Sequence, residues 1–229
     1  MGTIDIAVVD YGMGNLRSVS KAVEHVAPGL KVVVTSQPDE VRAARRVVFP
    51  GQGAMPDCMR ELDARGLRPA VLEAARSKPF LGICIGLQML FESSEEGNVP
   101  GLGLLKGRVV RFPAHGLGAS GERLKVPHMG WNQVQQTLEH PLWNGIAQGT
   151  RFYFVHSYYP APSKRELIAG YSLYPFPFAC AVARENLFAV QFHPEKSQEA
   201  GLRLLSNFVQ WDGRHAAGSR ALENPVAGT

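Results

Sequence analysis

The chain has 229 residues, 45% of them hydrophobic, and a mild net charge of +4, which suits one compact domain of ordinary globular composition. Its Lys and Arg residues are spread without a dense tract or interleaved aromatics, so nucleic-acid binding has little support. No apolar run reaches membrane-spanning length, Met1 to Asp5 lacks a signal-peptide pattern, and three cysteines without framework spacing fit a reducing compartment, so a cytoplasmic location is expected.

Ile4 to Asp10 alternates toward a buried strand, and Tyr11-Gly12-Met13-Gly14-Asn15 turns tightly into a helix over about Leu16 to Val26. This turn lacks the third glycine of a dinucleotide fingerprint, and no cofactor is expected from it. A strand over Lys31 to Thr35, a short helix near Asp39 to Ala44 and a strand from Arg46 to Phe49 follow, then helices near Met55 to Arg65 and Pro69 to Arg76. Such alternation predicts an α/β fold, an open and mostly parallel sheet flanked by helices. From about Leu104 the pattern changes to strands, expected to add antiparallel members in the second half: Leu105 to Phe112, Trp131 to Gln135, Arg151 to Val155, Leu167 to Tyr171, Ala179 to Ala183 and Leu187 to Phe192. A closing helix is expected over Ser197 to Trp211, giving a single domain over 1–211 and a disordered tail over 212–229.

The most informative stretch is Gly82-Ile83-Cys84-Ile85-Gly86-Leu87-Gln88, a cysteine between glycines after the short apolar strand Pro79-Phe80-Leu81 and before a helix. This is the form of a nucleophile elbow, in which the glycines remove β-carbons that would clash at a sharp turn. Cys84 is then expected to point into open space, with the helix N-terminus favouring its thiolate. A cysteine nucleophile needs a base and an orienting carboxylate, and Phe192-His193-Pro194-Glu195 supplies both after a strand-like run. Oxyanion donors are expected from the N–H of Ile85 and from the turn at Gly51, Gln52 and Gly53. Cys58 and Cys180 lie in apolar surroundings and read as small core residues. His25, His115, His128, His140 and His215 are scattered and no Cys-x-x-Cys exists, so no metal is expected.

Together these motifs resemble the class I glutamine amidotransferase domain, with its Gly-x-Cys-x-Gly-x-Gln elbow and later His-Pro-Glu, over roughly Ile4 to Trp211. The resemblance implies a flavodoxin-like sheet and hydrolysis of the glutamine side-chain amide through a γ-glutamyl thioester, with Cys84 as nucleophile, His193 as base, Glu195 as its orienter and Gln88 holding substrate. Further stretches, Asp10 to Leu16, Val126 to Asn132, Phe152 to Tyr159 and Phe192 to Ser197, are similar to the glutaminase subunits of imidazole glycerol phosphate synthase. That likeness implies that His156, Ser157 and Tyr158 border the glutamine pocket and that Asn15 and Lys196 face a partner. The implied partner is a separate (β/α)8 cyclase in a heterodimer, which uses the ammonia to make imidazole glycerol phosphate and aminoimidazole carboxamide ribotide in histidine biosynthesis. Gln52 stands where these subunits usually carry an aliphatic residue. The alternatives are the glutaminase subunit of a pyridoxal 5′-phosphate, anthranilate or aminobenzoate synthase, a free-standing γ-glutamyl hydrolase, or a non-catalytic module on the same scaffold.

Overall fold

The computed structural model describes residues 3–113 and 125–214. The first half alternates strand and helix: β1 (Ile6–Val9), α1 (Leu16–Val26), β2 (Val32–Thr35), α2 (Pro38–Ala43), β3 (Arg46–Gly51), α3 (Met55–Ala64), α4 (Arg68–Ser77) and β4 (Phe80–Cys84). A single helical turn, α5 (Ile85–Gln88), then leads into β5 (Phe91–Ser94), β6 (Val99–Pro100) and β7 (Leu105–Arg111). The remainder is strand-rich as expected: β8 (His128–Gln133), β9 (Gln135–Gln136), β10 (Arg151–His156), β11 (Tyr158–Pro162), β12 (Ile168–Leu173), β13 (Pro177–Arg184) and β14 (Leu187–Val190), closed by α6 (Gln198–Gln210).

An eight-stranded sheet in the order β2-β1-β3-β4-β14-β13-β12-β9 forms the frame. Its first five strands pair in parallel and its last three antiparallel. Every residue of β1, β4 and β14 is buried, as strands covered on both faces must be, and this is why they read as continuous apolar runs. Helix α1 places Val19 and Val23 on this core and packs along α6, whose Leu204, Leu205 and Phe208 are fully buried; α2 packs along α4.

Three strands that the pattern did not predict, β5, β6 and β11, join β7 in a smaller sheet ordered β11-β7-β5-β6. The sequence hides them for physical reasons: β11 carries Pro160 and Pro162, which ordinarily demote a strand, and β5 is rich in Glu and Ser. Strand β4 runs on to Cys84 instead of ending near Leu81, because β3 and β14 pair with it on both sides. The expected tail enters the described residues only at 212–214; the rest of it, with His115 and His215, lies outside them.

Candidate active site

The order β3-β4-β14 sets the end of β3, the end of β4 and the turn after β14 side by side, with Gly51 opposite Cys84 and Val190 opposite Ile83. These are the carboxyl ends of parallel strands, where open α/β sheets bind ligands. Cys84 itself has φ 55° and ψ −112°, a region that residues with a β-carbon scarcely enter. The glycines around it explain how so sharp a turn can pack. A β-carbon on Gly82 would lie 2.9 Å from that of Ala189, one on Gly51 would lie 2.9 Å from that of Ile85, and one on Gly86 would run into the carbonyl oxygen of Phe49. The sequence expectation needs two corrections. Helix α5 is only four residues long, since the chain at once turns toward β5, so little macrodipole acts on the sulfur. Cys84 is also only 5% exposed and faces a cavity, not open space.

His193 follows β14 and is held by the backbone of Tyr153 on β10. Its N–H donates to the Tyr153 carbonyl at 2.9 Å, while Ser197 Oγ accepts from Tyr153 N at 3.0 Å and donates to the His193 carbonyl at 2.6 Å. Between them Pro194–Lys196 form one 3-10 turn, and it folds the Glu195 carboxylate back onto the ring. His193 Nδ1 and Glu195 Oε1 are 2.8 Å apart, with both side chains buried. This contact puts a proton on Nδ1 and leaves Nε2, which is buried without a hydrogen-bond partner, for the sulfur. Burial by itself would make the imidazolium less stable. The Cys84 sulfur and then Glu195 outweigh it and push the His193 pKa up to about 10, so the charged ring is the favoured form here.

A cavity of about 240 Å³ opens over this pair. It is below the roughly 300–1,000 Å³ of drug-sized sites and suits a molecule the size of an amino acid. Its lining includes Gln52, Gly53, Cys84, Ile85, Gln88, His156, Ser157, Tyr158, His193 and Lys196, so most residues named from the sequence converge on it. Gly51 does not line it. It is strand rather than turn, and it borders a smaller crevice behind the pair together with Asn15 and Glu195. Asn15 has a local duty as well, since its side chain accepts from Ser18 N at 3.4 Å and caps α1. Lys196 is exposed, with its ammonium 6.0 Å from the centre of the Tyr153 ring.

Four groups at or around the site were not singled out from the sequence. Glu96 lines the cavity and accepts from Met55 N at 2.8 Å. Gln191 is fully buried between Gln88 and Cys84. His128, set aside as scattered, has Nδ1 2.9 Å from His156 Nε2, and Asn132 Nδ2 is 3.2 Å from its Nε2. His156 Nδ1 is in turn 2.9 Å from the Tyr158 carbonyl, which can only accept, so both rings are neutral and their tautomers are fixed in one direction. Burial lowers the pKa of His128 to about 4 and that of His156 to about 3. The spacing of His128 and Asn132, four residues apart in Pro-His-Met-Gly-Trp-Asn, was the available signal. Cys58 and Cys180 are both buried, as expected of core thiols, and burial pushes both thiols up, Cys58 to about 11.

A thiol beside a buried, carboxylate-backed imidazole, opening on a small cavity, is equipped for acyl transfer through a thioester. Comparison with known proteins points the same way. Residues 7–211 match the family model for the class I glutamine amidotransferases. The chain is 67% identical over 217 residues to the "Imidazole glycerol phosphate synthase subunit HisH" of Thiobacillus denitrificans, covering 94% of this chain and 95% of that protein. It is 68% identical over 208 residues to the protein of the same name from Aromatoleum aromaticum, covering 90% and 98%. Among solved structures, a putative GMP synthase component from Thermoplasma acidophilum shares the fold with a TM-score of 0.66 at 17% identity, over 92% of this chain and 94% of that one.

Proposed function

The chain belongs to the class I glutamine amidotransferase family, and from that premise we propose that it is the glutaminase subunit of an imidazole glycerol phosphate synthase. The observation that carries the chemistry is the convergence on one cavity of Cys84, strained at the end of β4, and His193 held 2.8 Å from Glu195. The α-ammonium of glutamine is drawn by the Glu96 carboxylate and by Gln88 Oε1, a buried acceptor with no partner of its own.

The Cys84 thiolate adds to the side-chain amide carbon, and the amide oxygen becomes an anion facing the N–H groups of Ile85 and of the Gln52–Gly53 turn. When the C–N bond breaks, the His193 imidazolium gives its Nε2 proton to the leaving nitrogen and ammonia departs. The γ-glutamyl thioester remains on Cys84. Water then attacks it, with neutral His193 accepting one of the water's protons, and expulsion of the sulfur restores the thiolate and the imidazolium and frees the side-chain carboxylic acid, which loses its remaining proton to solvent to give glutamate.

Ammonia released into water would be protonated and diluted, so this chemistry serves synthesis only if an acceptor site is docked against the glutaminase. The exposed Met129 and Trp131 on β8 support such docking near the mouth. Trp131 stacks edge-on at 6.0 Å against Tyr153, which lies under Lys196, giving an apolar and cationic face continuous with the cavity rim. On this reading Asn15 and Lys196 face the partner, and the support for Lys196 is its exposure at the rim of the cavity. The test is glutamate release from glutamine by the purified chain, alone and with the (β/α)8 cyclase and its ribotide substrate, beside Cys84→Ala. Strong stimulation that vanishes in the Cys84→Ala control is expected. Cys84-dependent release indifferent to the cyclase would instead make the chain a free-standing hydrolase or the glutaminase of another synthase.

A further inference from the structure

Gln191 takes no part in the steps above, yet it is fully buried with its amide between the substrate-facing Gln88 and the nucleophile. The direction of this contact chain follows from one backbone carbonyl. The Tyr158 oxygen can only accept, so the Gln88 atom 3.0 Å from it is the amide nitrogen. The second N–H of that nitrogen reaches Gln191 at 3.0 Å, so the atom it meets there is Oε1. Gln191 is therefore left with its Nε2 toward Cys84 Sγ, at 3.8 Å, within hydrogen-bond range for sulfur. Turning the Gln191 amide over would set nitrogen against nitrogen at Gln88 and oxygen against a thiolate. The same logic leaves Gln88 Oε1 as its only free polar atom, buried and unpartnered beside the cavity.

We propose that Gln191 is a catalytic residue: its Nε2–H donates to the Cys84 thiolate, and its Oε1 locks Gln88 in the orientation that offers Oε1 to the substrate. The inference rests on the glutaminase reading and adds to it a source of thiolate stabilisation that the single-turn α5 does not provide. A donor to the sulfur acts on the fraction of thiolate, so its loss is felt where thiol and thiolate compete and fades once the sulfur is fully ionised. A general loosening of the site slows reaction at every pH.

The test is the rate of Cys84 alkylation by iodoacetamide from pH 5 to 10 in the full chain, corrected with Cys84→Ala, for wild type, Gln191→Leu and Gln191→Glu. The other titratable groups around the sulfur and its cavity, the His193–Glu195 pair, Tyr11, Cys58, Glu96, His156, Tyr158 and Lys196, are the same in all three proteins. Gln191→Leu should move the midpoint up by about one pH unit, making alkylation about tenfold slower on the rising limb, with the rates converging at alkaline pH. Gln191→Glu keeps the shape and the acceptor for Gln88 but sets a carboxylate near the sulfur, so its midpoint should rise further. It also carries the test if the leucine variant does not fold. Midpoints unchanged in the folded variants, or rates reduced equally at every pH, would overturn the proposal. Failure of the glutaminase reading is seen separately, as wild-type protein that releases no glutamate in a Cys84-dependent way.

Discussion

At the scale of single residues, the backbone of Cys84 reverses a usual rule. Replacing alanine by glycine ordinarily destabilises a protein through the unfolded chain, but at φ 55° and ψ −112° any β-carbon costs about 1–3 kcal/mol. Cys84→Gly should therefore be more stable than Cys84→Ala, by about 1 kcal/mol after the glycine's own entropy is subtracted. Urea denaturation of the two inactive variants checks this, and an alanine variant that is the more stable would show that the turn is not strained. Cys84, His193 and Glu195 were legible in the sequence because each stands in a short motif whose backbone requirements, glycines or a proline, are written beside it. Gln191, Glu96 and His128 were not, since their partners Cys84, Met55 and His156 are brought to them only by the fold.

At the scale of elements, the turn after β14 depends on a glycine in another element. Gly201, in the first turns of α6, has no room for a β-carbon: one there would collide with the carbonyl oxygen of Pro194 and approach the Ser197 β-carbon to 2.9 Å. Gly201→Ala should force α6 and the His193–Glu195 turn apart, costing about 2–4 kcal/mol, as other steric conflicts with buried backbone do. The expected signature is a lowered urea midpoint together with reduced glutamine turnover. A normal midpoint and normal turnover would mean that α6 can shift without moving the base. The helical spacing of Leu202, Leu205, Phe208 and Val209 revealed α6, but the reason for Gly201 is a contact between elements, which periodicity along one chain does not encode. Strand β11 was hidden in the same way, since its two prolines are tolerated only because the strand ends the small sheet.

At the scale of the whole molecule, the buried imidazoles of His128 and His156 tie acid stability to the seam between β8 and β10, where these residues stand opposite each other. Both rings are neutral in the fold and both nitrogens of each are engaged. In the unfolded chain they titrate near pH 6.5, and in the fold near 4 and 3. The unfolded state thus binds more protons across that window, so their contribution is complete above about pH 6.5 and is lost as pH falls toward 4 and 3. The urea midpoint of the wild type should fall through this range, and that of His156→Gln should fall less steeply. Equal slopes would mean that other groups govern the acid limb. The fold class itself was readable, because alternating apolar strands and amphipathic helices leave few ways to bury both faces of a sheet.

The position of β14, inserted beside β4 although it is the last strand among the described residues, also has a meaning in time. A ribosome adds roughly 5–20 residues each second, so Cys84 leaves it several seconds before His193 exists. During that interval the growing chain has a nucleophile and no base. The sheet cannot bring them together until β14 is threaded beside β4, so the catalytic pair does not exist before that strand is made.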